Sequence, residues 1–300
     1  MKISVVISAF NEEEKIEDCL KSVKDIAAEI IFLNNSSNDK TSAIAKKYTD
    51  KIFTQINDPL KIDLQKNYGF EKASCDWILS LDADERVTEL LSKEIQQLSE
   101  NKEINGYYIP RKNIIFGKWI EHTGWYPDPQ LRLFRKGKGK FTEEQVHKVL
   151  TVEGRIETLT NDLLHLNYDN VDQFLSRMIR IYTKSEAINL AKNGYKYNAI
   201  GIVRMPLSEF LKRYFAEKGY KDGMHGLVLS VLMSFYHFVV FLRLWEMNKY
   251  PDEKDISGLF KEGKKTISEE VKYWVNKKNI DDETNVIKKH TMRLKRKIFS

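Results

Sequence analysis

The first half of the chain alternates short apolar runs with segments of helical periodicity. The β-branched run at 3–10 is followed by a segment that places Ile16, Leu20 and Val23 on one helix face. Further apolar runs at 30–33 and 77–81 and a short predicted strand at 51–55 are separated by helical segments at 41–47 and 60–73. Strands that alternate with helices of this length predict βαβ units around a mostly parallel sheet. The continuous apolar strands agree, because such a sheet is covered on both faces.

The second half has a different pattern. Residues 106–164 are rich in aromatic residues, glycines and short strand-like pieces, and we interpret them as an extension that lays strands and loops over the sheet edge. The spacing of apolar residues predicts helices at 171–192 and 206–218. We therefore predict a first domain over 1–168, a helical extension over 169–250, and a Lys-rich helical or flexible tail over 251–300.

Residues 226–242 form an apolar run without a formally charged side chain. The run is slightly shorter than the roughly 18 residues expected of a membrane-spanning helix. It can be a helix buried on the first domain, a helix in the bilayer interface, or a true span. The basic residues around it, such as Lys212, Arg213 and Arg243, favour the interface and predict peripheral contact with an anionic membrane.

Composition narrows the class of protein. Three hundred residues, 42% hydrophobic and 31% charged, are typical of a globular chain of about two domains. A mean hydropathy of −0.48 excludes a multi-span membrane protein. The net charge of +6 is modest, so we expect no nucleic-acid partner. Two cysteines, Cys19 and Cys75, and the lack of a signal peptide predict a cytoplasmic protein.

Polar clusters follow three of the predicted strands: Asn11-Glu12, the stretch 34–39, and Asp82-Ala83-Asp84. The carboxyl ends of parallel strands meet at one sheet edge, where open α/β sheets bind their ligands. Two carboxylates that flank a small residue can hold Mg²⁺ or Mn²⁺ through oxygen, and such a cation would neutralise a diphosphate. The alternative is that Asp82 and Asp84 simply begin the next helix, where a positive dipole favours acidic residues.

Two common nucleotide-binding motifs are missing. No GxGxxG follows the first strand and no GxxxxGK[ST] occurs, which argues against a dinucleotide-binding domain and a P-loop enzyme. The mode of nucleotide binding that remains open is one in which side chains at the strand ends and a metal hold the nucleotide.

The ordered motifs ISVVISAFNEE at 3–13, the stretch 30–41 and WILSLDADE at 77–85 resemble those of family-2 glycosyltransferases of the GT-A fold. GWYPD at 124–128, QLRLFR at 130–135 and VH at 146–147 are similar to bacterial lipopolysaccharide-core glucosyltransferases in particular. The resemblance covers about residues 1–245. It implies an α/β fold of the GT-A type with a C-terminal helical extension. It also implies an inverting, metal-dependent transfer of a glucose-like hexose from a nucleotide-diphosphate sugar to a glycan or glycolipid acceptor, such as lipopolysaccharide core.

The resemblance further implies roles for individual residues. The nucleotide pocket would contain Ala9, Asn11, Glu12, Asn34, Asp39, Lys66, Asn67, Asp82 and Ala83. Asp84 and Asp82 would hold Mg²⁺ or Mn²⁺. The family usually has Asp where this chain has Asn34, and that Asp reads the N3–H of uracil. The Asn34 carbonyl can still accept this hydrogen bond, without the assistance of a charge, so we expect UDP as the carrier.

Inversion at the anomeric carbon needs one general base near the acceptor hydroxyl. The candidates are Asp128, Glu143, Glu144 and His147, and the position in the family favours Glu144 and then Asp128. His147 can instead bind the diphosphate or a metal.

The aromatic group Trp119, His122, Trp125 and Tyr126 suits stacking on an acceptor sugar, although it can equally be a small core. We expect Arg132 and Arg135 to face one side of a strand, where Arg132 and His147 would meet the acceptor.

Two other functions remain open. A degenerate nucleotide-sugar-binding or membrane scaffold protein would account for Asn34. An aspartate-nucleophile phosphohydrolase also has DxD after an apolar strand, but normally on its first strand and with a second acidic cluster. Metal-dependent turnover of a nucleotide sugar would distinguish the three. For the transferase, we expect a location at the cytoplasmic face of the inner membrane.

Overall fold

The computed structural model describes residues 1–58, 61–98, 101–142 and 150–284. The chain divides into two compact units, one made of 1–119 with 125–171 and the other of 120–124 with the residues from 172 onward. The first unit contains β1 (Ile3–Ala9), α1 (Ile16–Ser22), β2 (Glu29–Asn34), α2 (Thr41–Ala45), β3 (Ile52–Thr54), α3 (Ile62–Lys72), β4 (Trp77–Asp82), β5 (Glu85–Val87), α4 (Glu89–Gln97), β6 (Ile104–Ile109), β7 (Arg111–Ile115), β8 (Lys118–Trp119), β9 (Gln130–Arg135), β10 (Gly139–Phe141), β11 (Leu150–Val152), β12 (Arg155–Thr158) and β13 (Leu163–Tyr168).

The central sheet has seven strands in the order β12-β6-β9-β4-β1-β2-β3. The four strands from β4 to β3 pair in parallel, as the alternation of strands and helices predicts. Strand β9 runs antiparallel to both of its neighbours, so the sheet is mixed. All seven residues of β1 are buried, which explains its continuous apolar pattern.

Apolar clusters cover the two faces of this sheet. One cluster joins β1 and β4 to α1 and α4 through residues such as Ile16, Leu20 and Leu91. The other joins the opposite face to α3 and β10, where Phe70 packs edge-on against Phe134 with ring centroids 5.0 Å apart. Gly69 allows α3 to approach the sheet closely, because a Cβ atom there would lie 2.5 Å from Val6 Cγ1.

A second sheet, ordered β5-β13-β7-β8, begins directly after the DxD motif. Strand β5 starts at Glu85, and the next helix, α4, starts only at Glu89 after the N-cap Thr88. The alternative in which Asp82 and Asp84 begin a helix is therefore wrong. The turn after Asp82 instead connects the two sheets.

Strand β9 contains a bulge at Arg132, and the partners of its two arginines contradict one expectation. Leu131 pairs with Tyr108 and Leu133 with Tyr107, so Arg132 is the extra residue in β9. A bulge redirects its side chain. Arg132 bonds to carboxylates, whereas Arg135 bonds to the carbonyl oxygens of Ile104 and Asn101. The expectation that the two arginines share one face of the strand is therefore wrong.

The second unit is helical. It contains α5 (Val171–Arg177), a π-helical turn at Met178–Tyr182, α6 (Thr183–Lys192), α7 (Gly201–Leu211), a π-helical turn at Lys212–Ala216, a 3₁₀ turn at Gly219–Asp222, α8 (Met224–Met247) and α9 (Ile256–Asp282). The helix predicted at 206–218 begins five residues earlier, with Pro206 in its interior. Proline costs this helix one hydrogen bond, and packing of α7 against α8 stabilises the segment despite that loss.

Candidate active site

The parallel register of β4, β1 and β2 brings the three polar clusters to one edge of the sheet. Ser8 of β1 pairs with Asp82 of β4, and Ala9 pairs with Asn34 of β2. The strands therefore end side by side, and the residues that follow them share this edge. The side chain of Asn35, next to Asn34, adds a buried hydrogen bond of 3.0 Å from Nδ2 to Ser8 Oγ.

The loop after β2 is held by side-chain hydrogen bonds. Asp39 accepts the backbone N–H of Glu13 at 3.1 Å and that of Thr41 at 2.9 Å. Burial raises the pKa of Asp39, but these hydrogen bonds outweigh it and keep the pKa below its ordinary value. Asn34 Oδ1 accepts the N–H of Ser37 at 2.9 Å. The loop thus keeps a fixed shape at the place where a nucleotide base is expected.

The first loop is tied to the second one. Asn11 follows β1 with a φ of 53°, and its Oδ1 accepts the N–H of Asn38 at 2.9 Å. The N–H of Glu12 donates to Thr41 Oγ1 at 2.8 Å. These bonds join the ends of β1 and β2 into one rim.

Asp82 is the first carboxylate of the DxD motif, and two cations hold it. Lys66 Nζ lies 2.6 Å from its Oδ1, and Arg132 Nη2 lies 2.7 Å from its Oδ2. Burial raises the pKa of Asp82, but the two cations outweigh it and hold the pKa well below its usual range. The Asp82 side chain is 32% exposed, whereas those of Lys66 and Arg132 are almost fully buried. Asp82 is therefore a permanent anion with one open side.

Glu85 continues this arrangement into the interior. Its side chain is fully buried, and its Oε1 accepts hydrogen bonds from Arg132 Nη2 at 2.7 Å and Arg111 Nη1 at 3.3 Å. Its Oε2 accepts the backbone N–H of Asp82 at 3.0 Å. Glu85 therefore fixes the start of the DxD turn and the direction of both arginines.

Asp128 lies at the far end of these ion pairs. Its Oδ2 accepts hydrogen bonds from Arg111 Nε at 3.0 Å and Nη2 at 2.5 Å, and its Oδ1 accepts one from Gln130. Burial raises the pKa of Asp128, but the Arg111 charge and these hydrogen bonds bring it below the ordinary value. A base of low pKa accepts a proton weakly. These ion pairs form one series of alternating charges, which we call the charge chain: Lys66, Asp82, Arg132, Glu85, Arg111 and Asp128.

Asp84, the second carboxylate of the motif, faces His165 of β13. Its Oδ2 lies 3.6 Å from His165 Nε2. His165 Nδ1 lies 2.7 Å from Asn113 Oδ1, and Asn113 uses its amide N–H₂ to donate to the Trp125 carbonyl. Asn113 therefore accepts from Nδ1–H, and a neutral His165 presents the Nε2 lone pair towards Asp84.

This pair fits a divalent cation. Metal-binding histidines commonly donate their other ring N–H to an oxygen acceptor, as His165 does. A lone pair and a carboxylate oxygen 3.6 Å apart can ligate the same ion. Among the residues that the structure describes, no three His, Cys, Asp or Glu side chains form a metal-binding group. The other ligands would therefore be water and substrate oxygens.

The structure gives other sequence-derived candidates different surroundings. Both ends of the Asn67 amide bond to the main chain of Phe141, at 2.9 Å each, so this side chain fixes β10 against α3. The ring of Trp125 packs edge-on against Tyr168, and that of Tyr126 against Trp119. All four rings lie in the first unit.

His122 lies in the second unit, where Asp222 accepts its backbone N–H and pairs with its ring Nδ1. Arg132 is a buried partner of Asp82 and not an exposed acceptor contact. Glu143, Glu144 and His147 lie outside the described residues.

Four residues that hold the charge chain and the surroundings of Asp84 were not among the sequence-derived candidates: Glu85, Arg111, Asn113 and His165. The signal that could have found them is a polar residue inside an apolar strand, as His165 is within LLHLNY. Buried polar residues must find partners. The sequence does not reveal which ones.

Comparison with known families settles the class of protein. Residues 4–151 match the model of glycosyl transferase family 2. The protein carries a family 2 glycosyltransferase domain. The resemblance inferred from the motifs is confirmed, as is the GT-A fold with a C-terminal helical extension. The transferase match spans β1 to β11, and so includes the DxD motif, β9 and Asp128.

Curated relatives of the transferase carry glycosyltransferase names. An uncharacterized glycosyltransferase of Rickettsia typhi is 27% identical over 259 residues, covering 82% of this chain and 88% of that protein. The lipopolysaccharide core biosynthesis glycosyltransferase LpsC of Rhizobium meliloti is 24% identical over 257 residues, covering 82% and 93%. Among solved structures, residues 1–349 of S. aureus TarS, crystallised with UDP-GlcNAc, align at 14% identity with a TM-score of 0.43, covering 80% and 90%. The chain is a glycosyltransferase.

Proposed function

We propose that the protein is an inverting transferase that moves a hexose from a UDP-sugar to a saccharide of lipopolysaccharide core or another surface glycan. The observation that carries the proposal is the sheet edge where β1, β2 and β4 end together with the DxD turn. Similarity to LpsC, a lipopolysaccharide core glycosyltransferase, supports the acceptor class.

The donor would bind along the rim. The nucleoside would be surrounded by residues that end β1 and β2 or directly follow them at this edge: Ala9, Asn11, Glu12, Asn34 and Asp39. Asn34 would accept from the uracil N3–H through the second lone pair of Oδ1, the first being used by Ser37.

The diphosphate would lie beside the DxD turn. Lys66 would approach it as a cation, and Asp82 with Ala83 would contact the sugar side of the donor. Asp82 suits a neutral sugar, because its charge is already matched by Lys66 and Arg132 and its open side can accept hydroxyl hydrogen bonds. Asn67 would not contact the donor, since both ends of its amide bond to the main chain of Phe141.

We assign the metal site to Asp84 and His165. A mixed oxygen and nitrogen ligand set favours Mn²⁺ over Mg²⁺, because imidazole suits transition metals better. Asp82 is a poorer ligand than the sequence suggests, since two cations already occupy its oxygens. When bound, the cation would stabilise the negative charge on the departing diphosphate.

The general base would be Glu144 or Asp128. Asp128 is linked through Asn113 to His165 and so to the metal site, since Asn113 Nδ2 lies 3.3 Å from Asp128 Oδ2. Its pairing with Arg111 makes it a weak base. Glu144 is therefore the stronger assignment, and Asp128 would orient the acceptor together with the rings of Trp125 and Tyr126.

We also propose peripheral attachment to the cytoplasmic face of an anionic membrane. Among the described residues, α8 is the one helix long and apolar enough to cross a membrane, judged by length and composition, and 28% of its apolar window is buried. Val231 and Phe235 of α8 and Phe260 of α9 are exposed apolar residues. Apolar residues with nearby lysines suit the bilayer interface. Both cysteines are free thiols, as a reducing compartment requires.

The proposal is tested by thermal unfolding with nucleoside diphosphates and their sugars, each with and without Mn²⁺. A ligand at 100 times its Kd stabilises the folded state by about 2.7 kcal/mol. We expect a rise in Tm with UDP or one UDP-sugar that requires Mn²⁺, with Mn²⁺ alone and nucleotide alone as controls. NMR of the transferred sugar then tests inversion. A protein that no nucleotide stabilises would be the degenerate scaffold that Asn34 allows.

A further inference from the structure

The second unit contains a cavity that the donor site does not use. It has a volume of about 530 Å³ and is formed by the segment between α6 and α7, by α7 itself and by α8. This volume falls in the range of small-molecule sites, which is about 300–1,000 Å³. The whole lining belongs to the second unit.

The rim of the cavity is cationic. Lys196, Arg204 and Lys212 line it, and all three side chains are exposed. Arg204 pairs with Glu262 at 2.8 Å. Within the described part of the chain, Lys196 and Lys212 have no carboxylate within ion-pair distance, so two positive charges remain unmatched at the rim.

The floor of the cavity is nearly neutral. Glu209 is buried there, and Arg213 Nε binds its Oε1 at 2.5 Å, so its charge is compensated. His237 Nε2 lies 3.6 Å from the other oxygen of Glu209. Burial lowers the pKa of His237, and its ring is therefore uncharged at neutral pH.

The remaining walls are mostly apolar, with Asn198 and Ser208 as the polar residues among them. Ile200, Met205 and the ring of Tyr195 line the cavity beside the cations, and the hydroxyl of Tyr195 points to the sulfur of Met205 at 3.7 Å. A cationic rim over apolar walls is complementary to an anion that carries an apolar or sugar-like body.

We propose that this cavity binds a phosphate group, carried by a membrane lipid or by a small soluble phosphate. Lys196 and Lys212 supply the charge, Arg204 adds hydrogen-bond donors, and His237 lies beneath the bound group. The site is independent of the donor site, because no residue of the first unit lines it.

Binding would change the charge state of His237. The charged groups that face it are Glu209 and Glu186, which favour its protonation, and Arg213 and Lys212, which oppose it. An added anion neutralises the opposing cations, so the pKa of His237 rises on binding. A charge within about 4–6 Å changes a buried pKa by about one unit or more.

The experiment is an NMR titration of the histidine ring signals in the full chain, which has six histidines. His237→Gln identifies the resonance. The probes are inorganic phosphate, dihexanoylphosphatidylglycerol and dihexanoylphosphatidylcholine, each below its aggregation concentration. We expect the phosphatidylglycerol analogue or phosphate to raise the pKa of His237 by about one unit. The phosphatidylcholine analogue, whose choline offsets the phosphate charge, should act at least tenfold more weakly.

Charge reversal provides the control. The double variant K196E/K212E should lose the rise in the pKa of His237. The control K264E/K265E should keep it, because Lys264 and Lys265 lie on α9 outside the cavity and their reversal changes the net charge by the same amount. A stronger effect of the lipid analogue assigns the phosphate to a lipid, and a stronger effect of phosphate assigns it to a soluble ligand. The proposal is overturned if neither probe changes His237, if phosphatidylcholine acts equally, or if K196E/K212E behaves as the wild type.

Discussion

Glu29 should contribute a large share of the stability of the first unit. It begins β2 at the sheet edge opposite the active site, and its side chain is only 8% exposed. Its carboxylate accepts hydrogen bonds from Ser4 of β1, from Lys51 before β3, and from the N–H of Ser74 before β4. One carboxylate therefore joins the beginnings of four adjacent parallel strands.

The size of the effect follows from its pKa. Burial raises the pKa of Glu29, but the bonds from Lys51, Ser4 and Ser74 lower it from 4.5 to about 2. This difference corresponds to about 3.4 kcal/mol at about 1.36 kcal/mol per pH unit. The Lys51 side chain is half exposed, so solvent screens part of the interaction and about 2–3 kcal/mol remains. Because the pKa is lowered, this stability is present above pH 4.5 and is lost as the pH falls towards 2.

The assay is urea unfolding of the wild type and Glu29→Gln. Glutamine keeps the acceptor for Ser4 and Ser74 and removes the charge that Lys51 requires. We expect the free energy of unfolding of Glu29→Gln to be about 2–3 kcal/mol lower than that of the wild type at pH 7. At pH 4 this difference should be smaller by about 0.8 kcal/mol. Glu89→Gln is the control, because Glu89 is 81% exposed and the loss of its pairing with Lys93 and of its charge at the start of α4 should cost at most about 0.5–1 kcal/mol. Equal midpoints at pH 7, or a gap that widens on acidification, would refute the reasoning.

Three further substitutions test the active site and the packing. Asp84→Asn should abolish the Mn²⁺-dependent rise in Tm with UDP while leaving the metal-independent part, and retained Mn²⁺ dependence would exclude Asp84 as a ligand. Asn34→Asp should tighten UDP binding by about tenfold in calorimetry, because a charged acceptor adds about 1.4 kcal/mol; unchanged affinity would mean that this side chain does not read the base. Gly69→Ala should cost about 1–2 kcal/mol in urea unfolding despite alanine's helix propensity, since its Cβ would meet Val6 and Leu33 at 2.5 and 2.8 Å. A stabilised Gly69→Ala variant would show that α3 can move away from the sheet.

The donor side of the site could be predicted from the sequence because its parts are local. Each polar cluster directly follows an apolar strand, and parallel pairing of β4, β1 and β2 is enough to bring the clusters together. The loop-closing bonds of Asp39 connect neighbouring segments and follow from the same topology.

The charge chain could not be predicted, because it depends on long-range insertion. Strand β9 enters the sheet antiparallel between β6 and β4, and a bulge in it directs Arg132 towards Asp82 and Glu85. Periodicity alone cannot show this bulge. The expectation of a shared face for Arg132 and Arg135 was wrong for a simpler reason, because residues three positions apart lie on opposite faces of a regular strand. His165 comes from β13, far along the chain, and only its pairing with β5 and β7 places it beside the DxD turn.

The alternating signs of the charge chain restrict how this sequence can change during evolution. Glu85 has no exposed surface, and replacing it alone leaves Arg132 and Arg111 with one carboxylate each, Asp82 and Asp128, and the buried chain with one uncompensated positive charge. Breaking a buried pair in this way costs about 3–5 kcal/mol, whereas replacing both partners by well-packed neutral residues is often nearly neutral. Acceptable changes at these positions must therefore come in compensating pairs. We expect related sequences that lack the Glu85 carboxylate to have lost at least one of the two arginines as well.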